Sequence, residues 1–198
     1  MTTQRRSRKE AILQVATEHF ARHGFHGATL SAIAEAVGLT EPGLLYYFPS
    51  KVELLQGVLD YRDQADKSKY MAILEQDKIS LFSALQDLVN VNQERPGLVQ
   101  LFTVMVGESI NPEHPSHDFF VQRYRALRKT MVDFFKTAAV SEGYRTDVDL
   151  EQLVVLIIAV LDGLQIQWLL DPGQVEMTTG FALFTRLVET YLEKEPSD

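Results

Sequence analysis

A chain of 198 residues that is 45% hydrophobic is long enough for one large domain or two unequal ones, and too apolar for intrinsic disorder. It contains no cysteine, which excludes disulfides, thiolate zinc sites and a cysteine nucleophile, and suits a reducing cytoplasm. The net charge of −8 lies wholly beyond residue 60: residues 1–60 carry six Lys/Arg and six Asp/Glu, the remainder thirteen and twenty-one. An acidic body with a basic tip at Arg5, Arg6, Arg8 and Lys9 can present that tip alone to DNA; taken by itself the cluster reads equally well as a solvated tail. The opening stretch MTTQRRSRKEAILQ has no apolar core before a small-residue cleavage site, so it does not read as a secretory signal. The longest apolar run, Leu153 to Leu161, spans nine residues, short of the roughly 20 a membrane crossing needs. Glu151 and Asp162 flank it closely, and it reads as a buried helix segment.

Apolar spacing is helical nearly throughout, without convincing strand alternation, so an all-α fold is expected. The first helix runs from Arg5 to His23, with Ile12, Ala16 and Phe20 on one face; Gly24 supplies a left-handed end and Phe25 folds back on the last turn. Thr29 caps a short helix through Val37 whose buried stripe is Ile33, Ala34 and Val37. Gly38 breaks it. Thr40 or Glu41 caps the next helix, with Pro42 in its first turn, and Pro49 stops it near Phe48. Ser50 then caps a helix carrying Leu54, Leu55, Val58 and Leu59, with Glu53 completing a capping box. Longer helices follow over roughly 51–75, 80–94, 97–110, 117–142, 148–170 and 176–194, broken at Asp77–Ser80, Arg95-Pro96-Gly97, Asn111–Pro115, Gly143 and Asp171-Pro172-Gly173.

The informative stretch is GFHGATLSAIAEAVGLTEPGLLYYFPSK, Gly24 to Lys51. Two short helices separated by a tight glycine turn allow the second to enter a major groove about 12 Å wide while the first lies across the backbone. Leu44, Leu45 and Phe48 cluster on the inward side of the second helix; Gly43, Tyr46 and Tyr47 lie on the other. In residue order the segment resembles the N-terminal domain of the TetR (tetracycline repressor) family. Phe25, Gly27, Thr29, Ile33, Ala34, Gly38, Leu39, Gly43, Leu44, Phe48, Lys51 and Leu54 stand at the family's spacing without gaps. A further echo is Asp162-Gly163-Leu164 with Asp171-Pro172, a phrase seen in part of the family. One position departs: Leu45 stands where the family usually has a tyrosine that reaches a phosphate, so that contact is either lost or taken over by a neighbouring phenol.

The resemblance implies a three-helix helix-turn-helix domain over 1–52 and a ligand-sensing, dimer-forming helical bundle over 53–198. It assigns expected roles. Lys51 and Tyr47 contact phosphates, and Thr29 caps its helix and offers its hydroxyl or backbone N–H to a phosphate. Ser31, Thr40, Glu41, Gly43 and Tyr46 are candidates near base edges. Glu41 either accepts from a cytosine amino group or simply favours the helix N-terminus. Arg5, Arg6 and Arg8 either enter the adjacent minor groove or add phosphate attraction.

In the body, Met177, Phe181, Phe184, Val188 and Tyr191 recur at four- and three-residue steps, a seam suited to helix packing. Such a seam serves a subunit interface or an intramolecular core. The resemblance favours a homodimer through a four-helix bundle of residues 148–170 and 176–194, and hence a palindromic operator. It also implies that the aromatic- and methionine-rich middle encloses a chamber for a small, mostly apolar effector. Phe82, Phe102, Met105, Phe120, Tyr124, Gln165 and Trp168 are the candidate lining, and Arg123, Asn90, Asn92, Gln167 and Glu108 further polar groups that could orient a ligand. The expected activity is ligand-relieved repression in the cytoplasm.

An enzyme is the main rival class. His19 and His23 share a helix face as metal ligands can, but no acidic third ligand is evident nearby. No nucleophile elbow, P-loop or dinucleotide fingerprint accompanies the serines and aspartates. No catalytic residue, metal, cofactor or membrane contact is therefore expected. A helical adaptor would explain the acidic body but not the order of residues 24–51.

Overall fold

The structure, a computed structural model, describes residues 2–61, 81–141 and 143–193. Regular structure among these residues is helical: α1 (Thr2–Gly27), α2 (Leu30–Ala36), α3 (Glu41–Leu45), α4 (residues 51–61), α5 (Leu81–Gln93), α6 (Pro96–Glu108), α7 (His117–Ser141), α8 (Leu150–Leu170) and α9 (Met177–Leu192). Most ends fall within one or two residues of those read from sequence, because prolines, glycines and caps set them locally. The part of the expected 51–75 helix beyond residue 61 lies outside the described residues, as does the break at Asp77–Ser80.

The chain forms two compact units. One gathers α1 to α4 with α6 and the turn after it; the other holds α5, most of α7, α8 and α9. The first unit is built on the stripe that periodicity predicts. Ile12, Ala16 and Phe20 are completely buried, as are Ile33 and Leu44, each large side chain contributing about 1.5–3 kcal/mol of transfer free energy. Gly57 allows α4 to close on this core, since a Cβ there would press on the Phe48 ring at 2.8 Å and on Leu13 at 3.2 Å.

In the second unit α8 is a 21-residue helix with an 18-residue stretch of mean hydropathy 2.2, long and apolar enough to cross a membrane by length and composition alone. Its residues Leu153, Val154, Ile157, Ile158, Leu161, Gln165 and Trp168 nevertheless form one buried stripe within the unit. α9 packs on α8 and α5, and a Cβ at Gly180 would stand 3.1 Å from Leu164. The seam read on α9 needs correction. Met177, Phe181 and Val188 are buried inside the protomer, so they form core. The exposed apolar face lies about a quarter-turn around the helix, at Leu183, Leu187 and Tyr191. On α8 the matching exposed face carries Val155, Leu156, Ile166 and Leu170, and a Cβ at Gly163, which falls on the same side, would meet nothing within 4 Å.

Candidate nucleic-acid interface

The two short helices owe their geometry to local chemistry. Thr29 and Thr40 are both extended, and each hydroxyl accepts the backbone N–H three residues on, from Ala32 and Gly43 respectively, at 3.2 Å. Between them the chain reverses at Gly38, whose φ is 67°. There Gly38 N donates to Glu35 O at 2.9 Å and Leu39 N to Ala34 O at 2.8 Å, the paired bonds of a Schellman end. That end needs a left-handed residue, which is why glycine stands at 38. Pro42 sits in the first turn of α3, where no N–H is required.

α3 is shorter than expected. Its helical residues end at Leu45, and the chain continues as turns in which Tyr47 N reaches Leu44 O at 2.9 Å and Phe48 N reaches Leu44 O at 3.1 Å. The tightening follows from Pro49, which disfavours helical geometry at Phe48. Leu44 and Phe48 are buried as expected; Leu45 is only half-buried, so it does not belong wholly to the inward face.

The sequence-nominated readers differ in exposure. Thr29, Ser31, Thr40, Glu41 and Tyr46 are exposed, and Gly43, Tyr47 and Lys51 half-buried. Tyr46 is 66% exposed although large and aromatic, and its ring meets that of Tyr47 edge-on at 5.3 Å. An accepting cap hydroxyl keeps its own proton, so Thr29 and Thr40 can each still donate to a phosphate. Arg5 and Arg6 belong to the first turns of α1, but their side chains lie outside the described residues.

Lys51 has structural duties that sequence does not reveal. Its Nζ donates to the His26 carbonyl at 3.3 Å and lies 4.8 Å from the centre of the Phe25 ring. Burial lowers its pKa, while the negative charge of Glu108 acts in the opposite sense. An ammonium has three protons, so one bond to His26 leaves donors for a second partner.

Sequence reasoning also missed what Glu108 does. Its Oε2 accepts the backbone N–H of Phe25 at 2.7 Å and lies 3.5 Å from Nε2 of the buried His114. The His114 ring stands edge-on to Phe25 at 5.3 Å. A partner 83 positions away leaves no periodic signal, and Glu108 read only as a polar group that could orient a ligand.

The nominated effector residues divide between the units. In the first, Met105 and Phe120 are buried, and Phe102 meets Phe120 edge-on at 5.3 Å. In the second, Phe82, Gln165 and Trp168 are buried, and the Tyr124 hydroxyl donates to Asp162 at 2.8 Å. An open cleft of about 440 Å³ in the second unit is lined by Lys136, Arg145, Asp149 and neighbours, and by none of the nominated residues. Among the described residues no three His, Asp or Glu side chains are placed to hold a metal ion.

A capped helix-turn-helix on a buried core, with Thr29, Thr40 and Tyr46 exposed, defines a DNA-binding transcription regulator. Residues 12–58 match the sequence profile of bacterial regulatory proteins of the tetR family. Residues 80–193 match that of the C-terminal domain of BetI-type transcriptional repressors. The chain belongs to the TetR family. It is 30% identical over 150 residues to the nucleoid occlusion factor SlmA of Marinobacter nauticus, covering 73% of this chain and 75% of that one. Over 63 residues it is 49% identical to the transcriptional regulator RutR of Escherichia coli, 29% of this chain and 30% of that one. A transcriptional regulator of Saccharomonospora viridis, crystallised with choline, shares the fold with a TM-score of 0.80 at 22% identity, over 98% of this chain and 100% of that one.

Proposed function

We propose that the chain is a cytoplasmic, ligand-responsive repressor, not a catalyst, that binds a palindromic operator as a homodimer. Residues 1–52 read DNA; residues 53–198 sense the effector and join the subunits. The observation that carries this reading is the pair of capped helices joined at Gly38, with Tyr46, Thr40 and Glu41 exposed and Leu44 anchored in the core. α3 enters the major groove. Ser31, Thr40, Glu41, Gly43 and Tyr46 approach base edges, while Thr29, Tyr47 and Lys51 hold phosphates, with Arg5 and Arg6 adding charge from α1.

The exposed stripes of α8 and α9, with Leu156, Leu170, Leu183 and Leu187 each more than half exposed, support a four-helix interface between subunits. Two-fold symmetry then places the heads on half-sites about one helical turn apart. A small, mostly apolar effector, sensed within residues 53–198, changes the separation of the heads and lowers affinity. Such coupling requires the effector to bind one state better than the other. The choline held by the Saccharomonospora regulator supports an effector of low molecular mass.

The test is a Tyr46→Ala, Lys51→Ala double variant assayed on duplex DNA that the wild-type chain recovers from a random-sequence library. The variant is expected to keep its helical circular dichroism and lose about 100-fold or more in affinity, from a base contact and a phosphate contact together. Unimpaired binding refutes the assignment.

A further inference from the structure

We propose that Glu108 is the positioning residue of the reading head, a carboxylate from the end of α6 that fixes the bend at Gly24 and with it the approach of α2 and α3 to DNA. The inference rests on the DNA-reading function proposed above.

α1 bends at Gly24, where φ is 67° and ψ is −179°. The bend removes Phe25 N from the helical hydrogen-bond ladder, and a buried N–H without a partner is costly. Glu108 Oε2 takes that proton at 2.7 Å, a charge-assisted bond stronger than a neutral one. Its other oxygen, Oε1, occupies the space where a Cβ on residue 24 would lie. Glycine at 24 is thus required twice, by the backbone angle and by the seated carboxylate.

The seat is closed from the far side by His114, whose ring is buried. Its Nδ1 faces the Ser116 backbone N–H at 3.3 Å and the Ser116 hydroxyl at 2.8 Å. A nitrogen that accepts a backbone N–H carries no proton, so in the neutral ring the proton is on Nε2, which lies 3.5 Å from Glu108 Oε2. Nε2 is buried and makes no hydrogen bond, so the Glu108 carboxylate beside it is its nearest opposite charge. Glu108 is also the charge that opposes the lowering of the Lys51 pKa, and Lys51 ties down the His26 carbonyl. The Glu108 carboxylate thus holds the Phe25 backbone four residues before Thr29, the cap of α2. A carboxylate as the last residue of α6 is disfavoured by the helix dipole. Its position there fits the task of reaching the bend.

The experiment uses the full chain, Glu108→Gln, Glu108→Ala and the library-selected duplex. Amide hydrogen exchange at Phe25 is followed without DNA, and duplex affinity is measured per folded protein. Wild type is expected to protect Phe25. Glu108→Ala should abolish that protection and weaken the duplex about tenfold or more, the value of one lost charged hydrogen bond. Glu108→Gln keeps an oxygen acceptor for Phe25 N, and should restore protection and most of the affinity. Lost protection with unchanged affinity, or a Phe25 amide as fast in wild type as in Glu108→Ala, overturns the positioning role alone. Failure of wild type to recover any duplex, with Phe25 protected, overturns the DNA reading and takes the positioning role with it.

Discussion

The phenol of Tyr124 on α7 donates to the carboxylate of Asp162 on α8 at 2.8 Å, and both side chains are half-buried within the second unit. Burial first, and then the Asp162 charge, push the Tyr124 hydroxyl far above its ordinary pKa, so it remains a donor at any physiological pH. Burial raises the Asp162 pKa, opposed by the Tyr124 bond and by Arg123. The raised value favours the protonated acid in the folded chain. This contribution to stability is full below the ordinary carboxylate range and is lost as pH rises through the folded value. Asp162→Asn removes that loss and keeps an acceptor, so it should match or exceed wild type in urea unfolding at pH 7.5 and fall behind at pH 4.5. Tyr124→Phe, which orphans the carboxylate, should cost about 1–3 kcal/mol. A severe loss in Asp162→Asn at pH 7.5 contradicts this account of the pair.

His114 titrates with the opposite sign. Burial is the main cause of its lowered pKa, with Glu108 opposing and His26 assisting. The neutral ring is favoured in the folded chain, so its contribution is present above the ordinary histidine pKa of about 6.5 and is lost as pH falls through the folded value. Protonation also puts a hydrogen on Nδ1, against the Ser116 N–H. Unfolding free energy should therefore drop more steeply below pH 6.5 in wild type than in His114→Gln. Parallel profiles for the two would contradict it.

Gly24 and Gly38 have the same φ of 67° but different surroundings. A Cβ at Gly38 meets nothing within 4 Å, whereas one at Gly24 runs into the Glu108 carboxylate. Gly38→Ala should cost only the left-handed backbone penalty, about 1–2 kcal/mol. Gly24→Ala should cost distinctly more by thermal or urea unfolding, and the difference should shrink when Glu108 is also alanine. Equal costs in the two single variants would contradict the seating of Glu108 against Gly24.

These contrasts mark what a sequence can reveal. Caps at Thr29, Thr40 and Ser50, the Gly38 reversal and the Ile12–Ala16–Phe20 stripe act over three or four residues, and spacing alone exposes them. The α9 seam was harder, because Met177–Phe181–Val188 and Leu183–Leu187–Tyr191 are both apolar stripes at helical spacing. Sequence does not say which turns toward α5 and α8. The end of α3 at Leu45 reflects how far Pro49 reaches back, a local effect of uncertain range in sequence terms. The Glu108–Phe25 bond and the Lys51–His26 bond were not legible, since each joins residues that only the folded core brings together.

The corrected faces of α9 make a further prediction. Leu187 is 63% exposed and Phe181 fully buried. Leu187→Glu should leave the protomer folded but shift sedimentation from dimer toward monomer, by placing charge in a desolvated interface. Phe181→Ala should instead destabilise the fold by about 3–5 kcal/mol. A wild-type chain that sediments only as a monomer would refute the homodimer.

The most direct measurement of the central claim is a titration of the wild-type chain against the library-selected duplex at several salt concentrations, with stoichiometry read by mass. The account predicts two chains per inverted-repeat duplex, and an affinity falling linearly in log–log form as phosphate contacts release counterions. Recovery of no preferred sequence, or one chain per duplex with salt-independent affinity, would contradict it.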